Sequence, residues 1–205
     1  MDAAASKKPP GRPRNFDPAA ALESAMLLFW RHGYEGATIA QLTRAMGVKS
    51  ASLYAAFGSK AQLYREALAH YLQGAGRIGF CSLSAAPTAR EGIGRILQQA
   101  AVAFTLPEHP PGCMIGIGAL RCGVENQIAA EETAVLRRMS EEVILHRLEQ
   151  AKAEGELSPA TDPVALAAYF GAILQGLSVQ AQDGAGRERL LQIAELAMKA
   201  WPGSD

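Results

Sequence analysis

The chain has 205 residues and a formal net charge of zero, with 49% hydrophobic and 20% charged residues. A chain of this length buries roughly 70% of its unfolded surface, which is enough for a sizeable core and one or two domains. The sequence shows no apolar run near the ~18 residues of a bilayer span, and its first residues lack the apolar segment of a signal peptide. We therefore expect a cytoplasmic protein that does not contact a membrane.

The charges are unevenly distributed along the chain. Residues 1–60 hold eight basic and four acidic residues, a net charge of +4, whereas residues 61–205 hold twelve basic and sixteen acidic residues, a net charge of −4. A basic first third before an acidic remainder is typical of a nucleic-acid-binding head followed by a domain with another task. Chance clustering of charges could give the same split, so the charges alone do not establish a nucleic-acid-binding head.

The residues that carry catalysis or bind metals do not form a recognisable pattern. The three cysteines and four histidines are scattered, without a CxxC pair or a His/Cys cluster at metal-ligand spacing. The sequence also lacks GxSxG, HExxH and Walker A motifs, and a GxGxxG motif placed after a strand. We therefore expect no metal, no cofactor and no enzymatic activity.

Local signals mark the beginnings of several helices in the first third. Residues 1–16 are rich in Lys, Pro and Ala, and we expect them to form a disordered basic arm or a solubilising tail. Asp17 followed by Pro18 is typical of an N-cap and the first helical position. Thr38 and Ser59 are each followed by Gln three residues later, the spacing of a capping box.

Residues 38–57 predict a helix-turn-helix. Apolar residues at helical spacing lie on both sides of Gly47, where a tight turn needs a residue that tolerates positive φ. They are Ile39, Leu42 and Met46 before the glycine, and Val48, Leu53 and Phe57 after it. The other positions of the second helix are small or basic, as a helix that enters the DNA major groove requires. A helical hairpin that only packs is the alternative.

The remainder of the chain also predicts helices and no strands. Apolar spacing indicates helices near 88–104 and 113–122, a long amphipathic helix at 125–154, and two final helices that begin near 162 and 187. The apolar residues of the long helix include Ile128, Val135, Met139, Val143 and Leu148. The sequence therefore predicts an all-α fold of about nine helices.

Four consecutive segments resemble the TetR/AcrR family of one-component bacterial transcriptional regulators. They are GRPRNFD (11–17), LESAMLLFWRHGYEGATI (22–39), LTRAMGVKSASLYAAF (42–57) and GSKAQLYREAL (58–68). The resemblance implies a basic arm (1–16), a helix-turn-helix DNA-binding domain (17–62) and a helical domain (63–205) for effector binding and dimerisation. It also implies a homodimeric repressor that a small-molecule effector releases from pseudo-palindromic operator DNA.

The same resemblance implies which residues face DNA. Thr38, Tyr54 and Lys60 would contact phosphates, and Lys49 could donate to guanine O6 or N7. The full set of candidates is Arg12, Arg14, Thr38, Ala40, Lys49, Ser50, Ala51, Ser52, Tyr54, Ala55 and Lys60. The second helix ends in Tyr-Ala-Ala-Phe, without the family's histidine and second aromatic residue. This departure leaves the operator sequence open, together with the alternative of a helical interaction protein that does not bind DNA.

The resemblance further implies an effector pocket and a dimer interface. Pocket candidates are Phe104, Met114, Ile115, Leu120, Met139, Tyr169 and Phe170, although the same residues would equally suit a plain core. Interface candidates on the last two helices are Gly171, Leu174, Leu177, Leu190 and Ala197. The alternative is that the glycines of this segment pack inside one subunit.

Cys113 is a candidate sensor. It follows Pro-Pro-Gly and would begin a short helix, where the helix N-terminus lowers a thiol pKa and favours the thiolate. Its Gly-Cys pair resembles a subgroup of the family in which cysteine chemistry is the signal. A redox- or electrophile-responsive repressor is therefore an alternative to the ligand-released one, and a buried inert cysteine is the simplest account.

Overall fold

The computed structural model describes residues 17–78, 80 and 83–202. These residues form nine α-helices and no strand, which confirms the all-α prediction. The helices are α1 (Pro18–Gly36), α2 (Ile39–Ala45), α3 (Ser50–Phe57), α4 (Lys60–Gln73), α5 (Ala89–Ala103), α6 (Met114–Ile117), α7 (Gln127–Ala153), α8 (Pro163–Gln182) and α9 (Arg187–Met198). The predicted arm at 1–16, with Arg12 and Arg14, lies outside the described residues.

Helices α1–α4 pack around a core of aromatic rings, and we call residues 17–73 the head. Five rings from α1 and α4 are at most 3% exposed: Phe29, Trp30, Tyr34, Tyr64 and Tyr71. The predicted N-caps begin these helices, because the side chains of Asp17, Thr38 and Ser59 each accept hydrogen bonds from backbone N–H groups in the first turn. Residues 17–73 therefore fold as their local signals predict.

The body, residues 83–202, has a second core that is built from aliphatic side chains of α5, α7, α8 and α9. The short helix α6 lies in the body by sequence but contributes to the other core, because Met114 and Ile115 are buried in the core of the head. Helix α4 runs without a break across the predicted domain boundary at 62/63, and its Leu63 and Tyr64 also lie in the head core. The two cores therefore meet along α4 and α6.

The long helix α7 carries apolar residues on two sides. Four of the five apolar residues named from its sequence, Ile128, Val135, Met139 and Val143, are 43–55% exposed, and only Leu148 is fully buried. The buried side of the helix consists of Ala129, Thr133, Ile144, Arg147, Leu148 and Ala151. Small residues at three of these positions weaken the apolar periodicity of the side that faces the core.

Helix α8 contains no charged residue and is apolar on two sides. By length and composition alone it could cross a membrane, so the expectation that no such stretch exists was wrong. One side, including Phe170 and Leu177, is buried in the body core. The other side exposes mainly small and apolar residues, namely Ala165, Ala168, Tyr169, Ala172, Gly176 and Val179. We call these six residues the α8 outer face.

Candidate DNA-binding site and internal cavity

Helices α2 and α3 form a helix-turn-helix whose turn is fixed by a cap and a glycine. The Thr38 hydroxyl accepts a hydrogen bond from the Gln41 N–H at 3.2 Å, and the Gln41 side chain accepts one from the Thr38 N–H at 2.9 Å. This is the predicted capping box. Gly47 has φ +67°, a conformation that L side chains rarely adopt, so glycine is required at this turn.

The inner side of this unit is buried and the outer side is free. Leu42 and Leu53 are fully buried, and Met46 and Phe57 are 7% exposed. The DNA-facing candidates on the outer side are exposed, namely Thr38, Ala40, Lys49, Ser50, Ala51, Ser52, Tyr54 and Ala55. The only large hydrophobic side chain among them is that of Tyr54, at 47% exposure. The outer side of α3 therefore carries mainly small and polar side chains, with the basic residue Lys49 at its N-terminal end.

Lys60 differs from the other candidates because its ammonium group is drawn towards the protein. Its Nζ lies 4.4 Å from the centre of the Tyr34 ring, within the range of a cation–π interaction. Burial lowers the pKa of Lys60, an effect that the nearby Glu35 opposes. Lys60 would have to leave the ring to reach a DNA phosphate, so its predicted phosphate contact stays a prediction.

The head contacts the body at the end of α1, where Gly33 interrupts the helix with φ +69°. The Tyr34 N–H donates to the Gly118 carbonyl at 2.7 Å. The Glu35 carboxylate accepts from the Gly123 N–H at 2.7 Å and from the Asn126 side-chain amide at 3.1 and 3.2 Å. These donors hold the pKa of Glu35 below its ordinary value. Sequence reasoning missed Glu35, because its partners lie 88 and 91 positions away and give no local signal.

A partly open cavity of about 100 Å³ lies where α6, α7 and α8 meet the end of α4. Its wall is mostly apolar and includes Leu72, Ile78, Phe80, Phe104, Ile115, Ile144 and Leu174. Of the predicted pocket residues, Phe104 and Ile115 lie in this wall. Leu120, Met139 and Tyr169 point elsewhere with exposures of 55%, 53% and 36%. Met114 and Phe170 are fully buried in the two cores.

A few polar groups interrupt the apolar wall of the cavity. Arg137 lines it and donates to the Ile115 carbonyl at 2.9 Å, and burial lowers the pKa of this guanidinium. The Ser178 hydroxyl accepts a hydrogen bond from the Cys113 N–H at 2.7 Å. Cys113 thus connects α8, at the cavity, with the core of the head, where the Tyr71 hydroxyl donates to its sulfur at 3.3 Å.

Cys113 precedes α6 as predicted, but its thiol is not activated. Helix α6 has only four residues, and burial raises the pKa of Cys113 above its ordinary value. The expected lowering of the thiol pKa was therefore wrong: desolvation of the thiolate outweighs the helix terminus and the hydrogen bond from Tyr71. Burial likewise raises the pKa of Cys122. Neither cysteine of the described part of the chain therefore has the lowered thiol pKa on which the redox alternative depended.

The predicted interface residues lie inside the subunit. Leu177 and Leu190 are fully buried, Ala197 is 3% exposed, and Gly171 packs against Glu141 of α7. Leu174 lines the cavity. Gly171, Leu174 and Leu177 face the subunit's own core because the inner side of α8 is as apolar as its outer face, and Leu190 and Ala197 of α9 are buried in the same body core. Any contact with a second copy through α8 must use the outer face instead.

A helix-turn-helix with a buried inner side and an exposed outer side of small and polar residues beside Lys49, joined to a helical body with a cavity, defines a DNA-binding regulator of the helix-turn-helix class. The family model described as "Bacterial regulatory proteins, tetR family" matches residues 21–67. The HTH-type transcriptional repressor ComR of Escherichia coli (strain K12) is 34% identical over 203 residues, which cover 96% of this chain and 94% of ComR. The chain therefore belongs to the TetR family of bacterial regulatory proteins.

Solved structures agree with this assignment. A cysteine mutant of the TetR family transcriptional regulator CifR, complexed with 26 bp double-strand operator DNA, is 45% identical with a TM-score of 0.88. The match covers 94% of this chain and 100% of the CifR chain.

A second sequence relative is the HTH-type transcriptional repressor BdcR of Escherichia coli (strain K12). It is 28% identical to this chain, and the match covers 93% of this chain and 92% of BdcR.

Proposed function

We propose that the protein is a homodimeric transcriptional repressor that a small-molecule effector releases from a pseudo-palindromic DNA operator. The observation that carries this proposal is the exposed outer side of α3, where small and polar side chains follow the basic N-cap Lys49, above a buried inner side. The names of ComR and BdcR as repressors, and the operator complex of CifR, support it. A regulator of this kind acts in the cytoplasm, where the bacterial chromosome lies.

Helix α3 supplies the sequence-reading contacts in this proposal. Lys49 donates to guanine O6 or N7, and the methyl groups of Ala51 and Ala55 pack against thymine methyl groups. Thr38 and Tyr54 are exposed and contact phosphates, which fix the register of the protein on the duplex. Lys60 adds a phosphate contact once its ammonium group leaves the Tyr34 ring.

The α8 outer face forms the dimer interface in this proposal. Its small residues permit close approach of two helices, and a Cβ added at Gly176 meets no described atom within 4 Å. Leu196 of α9 is 60% exposed and adds an apolar side chain. An uncharged helix with two apolar sides is the composition expected when one side packs in the subunit and the other packs on a partner. A two-fold dimer places half-site centres about 34–36 Å apart.

The cavity receives the effector. The cavity at α6–α8, at about 100 Å³, is smaller than the ~150 Å³ apolar cavity that binds benzene, but it is partly open, and its mostly apolar wall suits a small, largely apolar molecule. Arg137 and Ser178 are positioned to orient a polar group of such a molecule. Because α6 lies between the cavity and the core of the head, a ligand that displaces α6 also acts on the head.

Selection of bound fragments from genomic DNA tests the function. We expect enrichment of fragments that share a pseudo-palindromic site, and binding that weakens steeply with salt. Each neutralised phosphate contributes a slope of about 0.9 in a plot of log affinity against log salt concentration. Failure to enrich any sequence, with no salt-sensitive binding, would instead favour a helical interaction protein.

A further inference from the structure

We propose that Glu35 is a positioning residue that fixes the orientation of the DNA-binding head on the body. This inference rests on the proposed function, because the orientation of two heads in a dimer determines which spacing of half-sites the protein accepts. Glu35 itself contacts no DNA in this account. It acts through the segment of residues 118–126, which follows α6.

The Glu35 carboxylate joins the head to the body by accepting hydrogen bonds from two residues of the body. The carboxylate accepts from the Gly123 N–H at 2.7 Å and from the Asn126 Nδ2 at 3.1 and 3.2 Å. One residue earlier, the Tyr34 N–H donates to the Gly118 carbonyl at 2.7 Å. The hydrogen bond to a carboxylate is charge-assisted and is stronger than a neutral one. Residues 34 and 35 therefore form hydrogen bonds with both ends of the segment of residues 118–126.

The position of Glu35 along the chain gives these contacts their effect. Thr38, the N-cap of α2, follows three residues later, so the recognition unit begins directly after the contact. The backbone joins head and body at the opposite end of α4, through the glycines at 74 and 76. Apolar packing of α6 and the start of α7 already holds the head against the body, and the directional hydrogen bonds of Glu35 add a contact beside α2 that fixes its angle.

Head and body also meet through apolar packing of Met114, Ile115 and Ala129 in the head core, and through Trp30 stacked on His109 at 4.3 Å. None of these is a charge-assisted hydrogen bond next to α2 in the chain.

The other polar contacts between head and body are weaker. Arg65 pairs with Glu132 at 2.6 Å, but the two side chains are 44% and 33% exposed. An exposed ion pair of this kind contributes little. The Tyr64 and Thr133 hydroxyls lie 3.4 Å apart, a long hydrogen bond. Both contacts are made by residues of α4. These residues are further from α2 in the sequence than Glu35 is.

The test compares binding to two DNA duplexes that differ in half-site spacing. One is the selected operator, and the other has one base pair inserted at its centre, which rotates one half-site by about 35° relative to the other. The measured quantity is the spacing ratio, the affinity for the operator divided by the affinity for the inserted duplex. A global loss of stability or of charge lowers both affinities and leaves this ratio unchanged.

We expect Glu35→Ala and Asn126→Ala each to lower the spacing ratio by about 2- to 30-fold, the range that single mutations in a coupling network produce. Glu35→Gln should lie between these variants and the wild type, because one amide oxygen can still accept from the Gly123 N–H. Glu23→Ala is the matched control. It removes a carboxylate from the same helix, but from a contact with His70 inside the head at 2.7 Å.

The outcomes separate this inference from the function. If the wild type binds no DNA selectively, the proposed function fails. If the wild type binds the operator but Glu35→Ala and Asn126→Ala keep its spacing ratio, or Glu23→Ala lowers the ratio equally, the role of Glu35 is overturned and the function stands. Because Asn126 lies on the body side, its variant tests the same contact even if Glu35→Ala folds poorly.

Discussion

The cores of the head and the body differ in composition and in packing. In the head, aromatic rings contact one another directly: Phe29 and Tyr34 each lie edge-on to Tyr64 at 5.0 Å, and Trp30 lies edge-on to Tyr71 at 4.8 Å. The body core consists mainly of Leu, Ile and Ala, and beside it lies the 100 Å³ cavity. Large rings bury much area at fixed geometry, whereas a cavity leaves its lining free to adjust. The difference suits a head that moves as one unit and a body that responds to a ligand.

The largest expected effect is the loss of a ring from the head core. Phe29→Ala should lower the free energy of unfolding by about 3–5 kcal/mol, because Phe29 is fully buried against two tyrosine rings. Leu174→Ala, at a half-buried position beside the cavity, should cost less than about 2 kcal/mol. Urea unfolding of both variants measures the two values. Equal costs would show that the body core is packed as tightly as the head.

A charge on the α8 outer face should dissociate the dimer without unfolding the subunit. Gly176→Glu adds a side chain where no described atom lies within 4 Å, so it strains nothing within one subunit. At a two-fold interface it buries an unpaired charge, which weakens dimerisation by about 3 kcal/mol or more. Sedimentation analysis measures the dissociation constant. Val124→Glu, at a 90% exposed apolar position outside α8, is the control. A Gly176→Glu variant that stays dimeric would exclude this face.

The smallest expected effect in the body concerns the hydrogen bond between α8 and the start of α6. Ser178→Ala removes the acceptor of the Cys113 N–H, which lies 2.7 Å from it at a fully buried position. The unsatisfied donor should lower the free energy of unfolding by about 1–3 kcal/mol. Ser140→Ala is the matched control, because Ser140 lines the same cavity but donates only within its own helix. Similar stability losses in the two variants would contradict the assigned role of Ser178.

The head was more predictable from sequence than the body, because its signals are local. Thr38 with Gln41 lies within one helical turn, and Gly47 occupies the turn that requires positive φ. The body lacks such signals at the decisive positions. Helices α7 and α8 are apolar on two sides, so periodicity could not determine which side faces the core. This ambiguity misplaced Met139 of α7 in the pocket and Leu177 of α8 in the interface.

The junction between head and body was not predictable at all. Glu35 meets Gly123 and Asn126 across about 90 positions, and the sequence carries no sign of this pairing. Cys113 shows the limit of a local argument. Its place before a helix favours the thiolate, but burial between two distant helices decides its pKa in the opposite direction. Contacts of this kind emerge only from the packed chain.

The most direct test of the account concerns the claim that the outer side of α3 reads base sequence. Lys49→Ala and Lys60→Ala each remove one positive charge, and their affinities for the selected operator and for its single-base variants can be compared. The account predicts that Lys49→Ala changes the base preference at one position in each half-site, by about 1–3 kcal/mol. Lys60→Ala should weaken binding to all sequences alike. If Lys49→Ala also weakened every sequence equally, α3 would not read the operator through this residue and the central claim would fail.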